Sequence, residues 1–190
     1  MQITEKQYYT PEEYLAFEEK ADIKSEYING EIIPMAGGSV NHNQIALNLS
    51  TELNFAFKKQ DYCIYISDVR LWIESKCIYT YPDVMVIVGD AEFLNNRSDT
   101  VINPKVIIEV LSESTQGYDR EGKFKAYRTI STFEEYLLIE QTSVNIEHYS
   151  KTANKRWSLQ EYDEEDNNII FTSIPFEIAI LDLYNKVKFK

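Results

Sequence analysis

VIIEVL, residues Val106 to Leu111, is an apolar stretch that contains one acidic residue, Glu109. Short runs rich in Val and Ile are typical of buried β-strands. A carboxylate among such side chains costs free energy unless a cation or hydrogen bonds compensate it. The stretch therefore predicts a strand of the central sheet and, at Glu109, a residue with a specific partner.

A second acid, Asp83, opens another apolar run that extends to Val88. Side chains alternate between the two faces of a strand, so Asp83 and Glu109 can point into one cleft if their strands are neighbours. Two carboxylates repel each other unless a hard cation lies between them. Oxygen ligands favour Mg²⁺ or Mn²⁺ over zinc, so the pair predicts a site for one of these ions.

A helix predicted over residues 116–129 follows the strand of Glu109 directly. Its residues Asp119, Lys123 and Tyr127 recur every four positions and therefore share one face. The first turns of this helix should lie near the carboxyl end of the strand. Lys123 could then orient a water molecule, or offset the charge of a phosphorane-like transition state.

The rest of the chain predicts the elements around this centre. A capping box at Thr10 and Glu13 begins a first helix, and Asn29-Gly30 predicts the turn of a hairpin. Asn41 is the predicted cap of a second helix, which extends to about Lys58. Further strands are predicted at 62–66, 70–73 and 135–139, a polar loop at 89–103, and an antiparallel tail at 144–149, 156–162 and 169–172. The connection from the strand of residues 106–111 to that of 135–139 is a βαβ unit, so these two strands should be parallel.

Composition limits the classes of function. The net charge of −12 argues against non-specific binding along duplex DNA, although it leaves room for a local basic groove. Arg120, in the densest basic stretch, is a candidate phosphate contact. The only histidines, His42 and His148, exclude a multi-histidine zinc site and give little support to a Ser-His-Asp triad.

Two cysteines in unlike contexts, without a CxxC spacing, suit a reducing compartment better than a disulfide framework. The sequence has neither an N-terminal apolar segment of the kind found in signal peptides nor an apolar run long enough to cross a bilayer. We therefore expect a cytoplasmic protein with no membrane partner.

The ordered set of motifs resembles the Uma2 (Uma-two) family of putative restriction endonucleases, in the PD-(D/E)XK nuclease-like superfamily. The likeness covers nearly the whole chain, and its specificity comes from the order of the motifs. They are Pro82-Asp83, Glu109-Val110-Leu111-Ser112, Asp119 with Lys123 and Tyr127, and Glu135-Tyr136-Leu137-Leu138-Ile139. Further matches are Tyr14-Leu15, Glu26-Tyr27-Ile28-Asn29-Gly30-Glu31, His42, and Leu183-Tyr184 with Val187-Lys188-Phe189.

The resemblance implies the fold class. That fold is α/β, with a restriction-endonuclease-like core over about residues 41–140 in which helices flank a mixed central sheet. An N-terminal helix–hairpin extension and a C-terminal antiparallel tail would complete a single domain of residues 1–190. The family also implies DNA as a substrate and, as in many small nucleases of this fold class, a homodimer.

The resemblance also assigns roles to residues. Asp83, Glu109 and the carbonyl of Val110 would be the metal ligands. The wider superfamily carries its lysine two residues after the glutamate, where this chain has Leu111. In this family the lysine stands on the helix, which makes Lys123 the matching position.

Four further residues are supporting candidates. Glu26 matches a family glutamate and would be a direct or outer ligand. His42, near a helix start, could bond a loop carbonyl, a ligand or a phosphate. Asp119 and Tyr127 share the helix face of the lysine.

The prediction is a metal-dependent DNA endonuclease in which two carboxylates hold one or two Mg²⁺ or Mn²⁺ ions. One alternative is a nuclease-like fold without turnover that acts as a nucleic-acid or protein interaction module. The acidic charge and the missing strand lysine favour that alternative. A glycoside hydrolase built on the carboxylate pair is a third interpretation, but it gives Lys123 no role.

Overall fold

The computed structural model describes residues 7–189, which form a mixed α/β fold built on two large sheets. The helices are α1 (Pro11–Glu18), α2 (Val40–Ala56), α3 (Gln116–Tyr118), α4 (Phe124–Tyr127) and α5 (Ile180–Leu183). The strands are β1 (Ser25–Ile28), β2 (Glu31–Pro34), β3 (Tyr62–Ile66), β4 (Arg70–Ile73), β5 (Ile78–Thr80), β6 (Val84–Val88), β7 (Thr100–Val101), β8 (Val106–Leu111), β9 (Glu135–Glu140), β10 (Ile146–Ala153), β11 (Arg156–Tyr162), β12 (Asn168–Ile170) and β13 (Glu177–Ala179).

The six-stranded sheet has the order β11-β10-β9-β8-β6-β3 and carries the predicted acids near its centre. Strands β8 and β9 pair in parallel, as the βαβ unit predicts, whereas β6 and β8 are antiparallel. In the β6–β8 register Val84 lies opposite Ile108. One step further along this register, Asp83 lies opposite Glu109, so the two acids are cross-strand neighbours on one face.

Both faces of this sheet are covered by apolar side chains. Val84, Ile108 and their same-face neighbours pack against Ile45, Leu49 and Leu53 of α2. Residues of the opposite parity, among them Ile107 and Leu111, pack against the other side of the molecule. Each fully buried side chain of this size contributes about 1.5–3 kcal/mol. The alternation confirms which strand residues share the face of Glu109.

The N-terminal extension forms as its local signals predict. The capping box at Thr10 and Glu13 is present at the start of α1. The turn between β1 and β2 has φ values of 54° at Asn29 and 99° at Gly30, the left-handed pair that an Asn-Gly hairpin turn requires. This hairpin belongs to the five-stranded sheet, whose order is β2-β1-β5-β4-β7.

Some predicted boundaries are wrong. The cap of α2 is Ser39, whose hydroxyl accepts a hydrogen bond from the amide of His42 at 3.1 Å. Asn41 instead donates its side-chain amide to the carbonyls of Gln141 and Lys188. The polar loop at 89–103 contains the short strand β7, and β5 was not predicted. Strand β12 pairs with β13 in a separate two-stranded sheet rather than with the tail hairpin of β10 and β11.

The helix predicted over residues 116–129 is interrupted. Between α3 and α4, residues Asp119–Lys123 form a π-helical turn. Within residues 7–189, no helix is both long and apolar enough to cross a membrane.

Candidate active site

Asp83, Glu109 and Lys123 line the floor of one cleft with a volume of about 850 Å³. One wall is the connection from β2 to α2. The other walls are the residues after β8 and the turn after β9. The remaining lining residues include Glu26, His42, Tyr81, Val110, Glu113, Asp119, Glu140 and Gln141. The cleft therefore gathers residues from both large sheets and two helical segments.

Asp83 is held from two sides. The backbone amide of Val110 donates a 2.7 Å hydrogen bond to its Oδ2, and Nε2 of His42 lies 3.2 Å from the same oxygen. Burial lowers the pKa of His42, but the hydrogen bond and the charge of Asp83 outweigh burial and raise it above its ordinary value. His42 lies in the first turn of α2, so the cap at Ser39 helps to fix its position.

Glu109 is only 3% exposed, and two neighbouring groups compensate the burial of its carboxyl group. Nζ of Lys123 lies 3.1 Å from its Oε1, and the hydroxyl of Tyr127 donates a 2.7 Å hydrogen bond to the same oxygen. Burial raises the pKa of Glu109 to about 8, against the opposing effect of the Lys123 charge. Both contacts use Oε1, so Oε2 remains available for a ligand.

Lys123 is 8% exposed and lies among three carboxylates. Its Nζ is 3.0 Å from Oδ1 of Asp119, 3.1 Å from Oε1 of Glu109 and 3.6 Å from Oε1 of Glu26. Burial opposes the charge of Lys123, but these carboxylates outweigh it and raise the pKa well above its ordinary value. We call Glu26, Glu109 and Asp119 the carboxylate cage.

A π-helical turn carries both Asp119 and Lys123, whose spacing of four residues places them on one side of it. Such turns are rare in proteins overall, and those that occur are often at functional sites. The hydroxyl of Tyr136 donates a 3.1 Å hydrogen bond to the carbonyl of Asp119 and ties the turn to β9. A Cβ at Gly122 would overlap the ring of Tyr118, so the absent side chain lets that ring pack against the turn.

The predicted residues are not all in the cleft. Neither Arg120 nor Tyr127 lines it. The guanidinium of Arg120 contacts Glu147 at 2.7 Å and Gln116 at 2.8 Å, whereas Tyr127 contacts Glu109 within the core. The phosphate contact of Arg120 stays a prediction. Glu26, which the sequence could not place, does reach the cleft, where its Oε1 accepts a hydrogen bond from Thr80. Thr80 was missed, because a threonine at the end of a three-residue strand carries no distinctive signal.

The donors at the floor of the cleft fit one kind of metal ion. Within residues 7–189, no group of three or more His, Cys, Asp or Glu side chains is arranged to hold a metal. Asp83 and Glu109 bring two carboxylates to the cleft, and Val110, whose carbonyl is the third predicted ligand, also lines it. Mg²⁺ and Mn²⁺ prefer oxygen donors, and Mg²⁺ is commonly bound by one or two carboxylates together with water and substrate phosphates. The residues present therefore fit such an ion.

Comparisons with known proteins extend over most of the chain. An uncharacterised protein of Synechocystis sp., sll1609, is 47% identical over 163 residues, which cover 86% of this chain and 92% of that protein. A second uncharacterised Synechocystis protein, slr1290, is 36% identical over 180 residues, or 95% of this chain and 93% of its own length.

A crystal structure with the same fold is that of a putative nuclease of the DUF820 group from Anabaena variabilis. It matches with a TM-score of 0.75 at 20% identity and covers 93% of this chain and 97% of that one. The fold of this chain is therefore nuclease-like. The Uma2 family model, described as a putative restriction endonuclease, matches residues 11–183. The resemblance seen in the order of the motifs is thus confirmed, and the chain belongs to the Uma2 family of putative restriction endonucleases.

Proposed function

We propose that this protein is a metal-dependent endonuclease that hydrolyses phosphodiester bonds in DNA. The observation that carries the proposal is the convergence of Asp83, Glu109 and Lys123 on one cleft floor, from two neighbouring strands and a helical turn. Membership of a family of putative nucleases supports a nucleic-acid substrate. The metal, the choice of DNA and the role of each residue belong to the proposal.

Asp83, Glu109 and the carbonyl of Val110 would hold the divalent ion. When bound, such an ion neutralises charge on a phosphate and lowers the pKa of a water molecule. Contacts within the fold orient the two carboxylates before an ion binds. The amide of Val110 orients Asp83 through a 2.7 Å hydrogen bond, and Tyr127 and Lys123 fix one oxygen of Glu109.

Lys123 contributes a fixed positive charge next to Glu109. Because Lys123 is only 8% exposed, its charge is screened less than in bulk solvent and stabilises nearby negative charge more strongly. His42 lies against Asp83 and also lines the cleft, where it can meet the substrate. Two such sites could cut both strands of a duplex in one binding event, so we also propose that the active form is a homodimer.

Plasmid cleavage tests the proposal. Supercoiled DNA is incubated with the protein and Mg²⁺ or Mn²⁺, beside Asp83→Asn, Glu109→Gln and the exposed-residue control Asp61→Asn. We expect the wild type and the control to nick and linearise the plasmid. The two site variants should be slower by more than about 100-fold, because even outer-shell changes cost 10–100-fold. Excess chelator should stop the reaction. Equal cutting by all four proteins, or undiminished cutting in chelator, would refute the proposal.

One observation favours the alternative of an inactive binding module. Besides the acids at its floor, the cleft has Glu113 and Glu140 in its walls, and the whole chain carries a net charge of −12. Titration calorimetry separates the two functions. An active site should bind Mn²⁺ in the wild type and lose most of that binding in Glu109→Gln. A degenerate site should bind no Mn²⁺, or bind it equally in both proteins.

A further inference from the structure

We propose that Lys123 is a built-in cation that takes the place of a second metal ion, so that each chain binds one divalent ion. The position of that one ion, at Asp83 and Glu109, rests on the proposed function. The role of Lys123 rests on the carboxylate cage alone. Each chain would therefore bind one divalent ion rather than two, a number that the sequence leaves open.

The geometry of the cage is that of a cation site. Its three carboxylates come from β1, from β8 and from the π-helical turn, and each has an oxygen 3.0–3.6 Å from Nζ of Lys123. Glu109 accepts a hydrogen bond from the ammonium, whereas Asp119 and Glu26 contact it as ion pairs. By contrast, the exposed Lys125 pairs with a single acid, Glu121, at 3.5 Å. Exposed pairs of this kind contribute little to stability.

Glu109 connects the cage to the proposed metal position. Its Oε1 contacts Lys123, while its cross-strand neighbour Asp83 contacts His42 and the amide of Val110. In hydrolytic sites with two metals the ions lie about 3.5–4 Å apart, close enough for one carboxylate to contact both. Glu109 would be such a shared carboxylate, because one of its oxygens contacts the ammonium of Lys123 and the other would face the single ion.

The balance of charge points the same way. Carboxylates bind a metal ion in their ionised form. With an ion bound, the four carboxylates of Glu26, Asp83, Glu109 and Asp119 face the cleft floor against the ammonium of Lys123. One divalent ion together with Lys123 leaves this group with a small negative charge. Without Lys123 the same four acids would need two divalent ions to reach neutrality.

Lys123 is also held too firmly to act as a mobile group. It is 8% exposed, and the cage is itself fixed, because Thr80 bonds Glu26 and Tyr127 bonds Glu109. Oδ1 of Asp119 is buried and accepts no hydrogen bond from the described residues, so its ion pair with Lys123 is its compensation. Removing the ammonium would leave a buried acid that needs another cation.

The test counts bound Mn²⁺ per chain by titration calorimetry and by electron paramagnetic resonance. We expect one ion in the wild type and in the control Lys125→Met, whose lysine is on the same helical segment but solvated. Lys123→Met should bind a second ion, with a spectrum broadened by coupling between the two. The double variant Lys123→Met/Asp119→Asn should return to one ion, because the cage has lost an acid.

Several results would overturn the inference. These are two ions in the wild type, an unchanged count in folded Lys123→Met, or a second ion that persists in the double variant. If Lys123→Met does not fold, Lys123→Gln takes its place, because it also removes the charge but keeps a polar end, and it should likewise bind a second ion. A wild type that binds no ion, with one gained in Lys123→Met, would refute the proposed metal dependence while supporting the role of Lys123.

Discussion

The hydroxyl of Tyr127 donates a 2.7 Å hydrogen bond to Oε1 of Glu109, the same oxygen that Lys123 contacts. The tyrosine is fully buried and the glutamate is 3% exposed, so no water can replace this donor without rearrangement. Burial raises the pKa of Glu109 to about 8, which shows how strongly the site disfavours the charge. The tyrosine is therefore part of what permits a carboxylate to lie at the centre of the sheet.

Tyr127→Phe should lower the free energy of unfolding by about 1–3 kcal/mol, the usual cost of leaving a buried acceptor without its donor. It should also weaken Mn²⁺ binding, because Glu109 loses one of the two contacts that orient it. Urea denaturation and calorimetry measure the two effects. Tyr149→Phe is the matched control, since Tyr149 donates a 2.8 Å bond to Glu147 outside the cleft. A comparable loss of Mn²⁺ binding in both variants would contradict a specific role for Tyr127.

Gly122→Ala should reduce nuclease activity although it changes no polar group. The new Cβ would overlap the ring of Tyr118, so the ring or the π-helical turn must move. That turn positions Asp119 and Lys123, and a displacement of about 1 Å at such a site can cost on the order of 100-fold in rate. The plasmid assay measures the loss.

Gly117→Ala is the control for that substitution. Gly117 lies on the same helical segment, five positions earlier, and a Cβ there meets no atom of the described residues within 4 Å. We expect unchanged activity and a stability equal to that of the wild type or higher by about 0.5–1 kcal/mol, the usual gain of Ala over Gly in a helix. Equal loss of activity in both variants would show that the overlap with Tyr118 is irrelevant.

Local periodicity was enough to predict the part of the site that lies on the sheet. Strand alternation places Glu109 on a defined face, and the helix between β8 and β9 requires parallel pairing, which the register confirms. The spacing of Asp119, Lys123 and Tyr127 likewise predicts a common direction. These predictions succeed because each depends on geometry within one element or between two consecutive ones.

The remaining features depend on contacts between distant residues. Ser39 and Asn41 are both good helix caps, and the choice between them follows from bonds of Asn41 to carbonyls about 100 and 147 positions away. Glu26 reaches Lys123 from the other sheet, across nearly 100 residues of chain. Arg120 is diverted to Glu147 by the packing of β10. No local pattern encodes these pairings, since the fold creates them.

The stability of the protein should depend on pH through Glu135. Burial alone would raise the pKa of this fully buried glutamate, but hydrogen bonds from His148, Thr172 and Ser173 outweigh burial and lower it to about 2 from 4.5. A depressed acid pKa stabilises the folded state above pH 4.5, and this stability disappears as the pH falls from 4.5 to 2. The linked free energy is about 3 kcal/mol.

Urea denaturation between pH 2 and 6 measures this dependence. The wild type should lose stability steeply in that interval, whereas Glu135→Gln should be less stable at pH 6 and should show a flatter profile. Glu134→Gln is the control, because Glu134 is 40% exposed and pairs with Lys105 near the surface. It should keep the wild-type slope. A steep profile that survives in Glu135→Gln would assign the acid sensitivity to other carboxylates.

The cap of α2 connects stability to the cleft. The hydroxyl of Ser39 accepts a 3.1 Å hydrogen bond from the backbone amide of His42. Nε2 of the same histidine lies 3.2 Å from Oδ2 of Asp83. Ser39→Ala should therefore cost about 1 kcal/mol, typical for a lost cap, and should also slow plasmid cleavage because the first turn of α2 loosens.

Thr10→Ala separates the effect on stability from the effect on cleavage. The hydroxyl of Thr10 caps α1 by accepting a 3.1 Å hydrogen bond from the amide of Glu13, and Thr10 does not line the cleft. It should lower the melting temperature about as much as Ser39→Ala while leaving the cleavage rate unchanged. If cleavage slows equally in both variants, the loss follows from general destabilisation. If cleavage slows only in Ser39→Ala, the loss follows from the local contacts of Ser39, which hold His42 beside Asp83 and bond the side chain of Gln141 in the cleft.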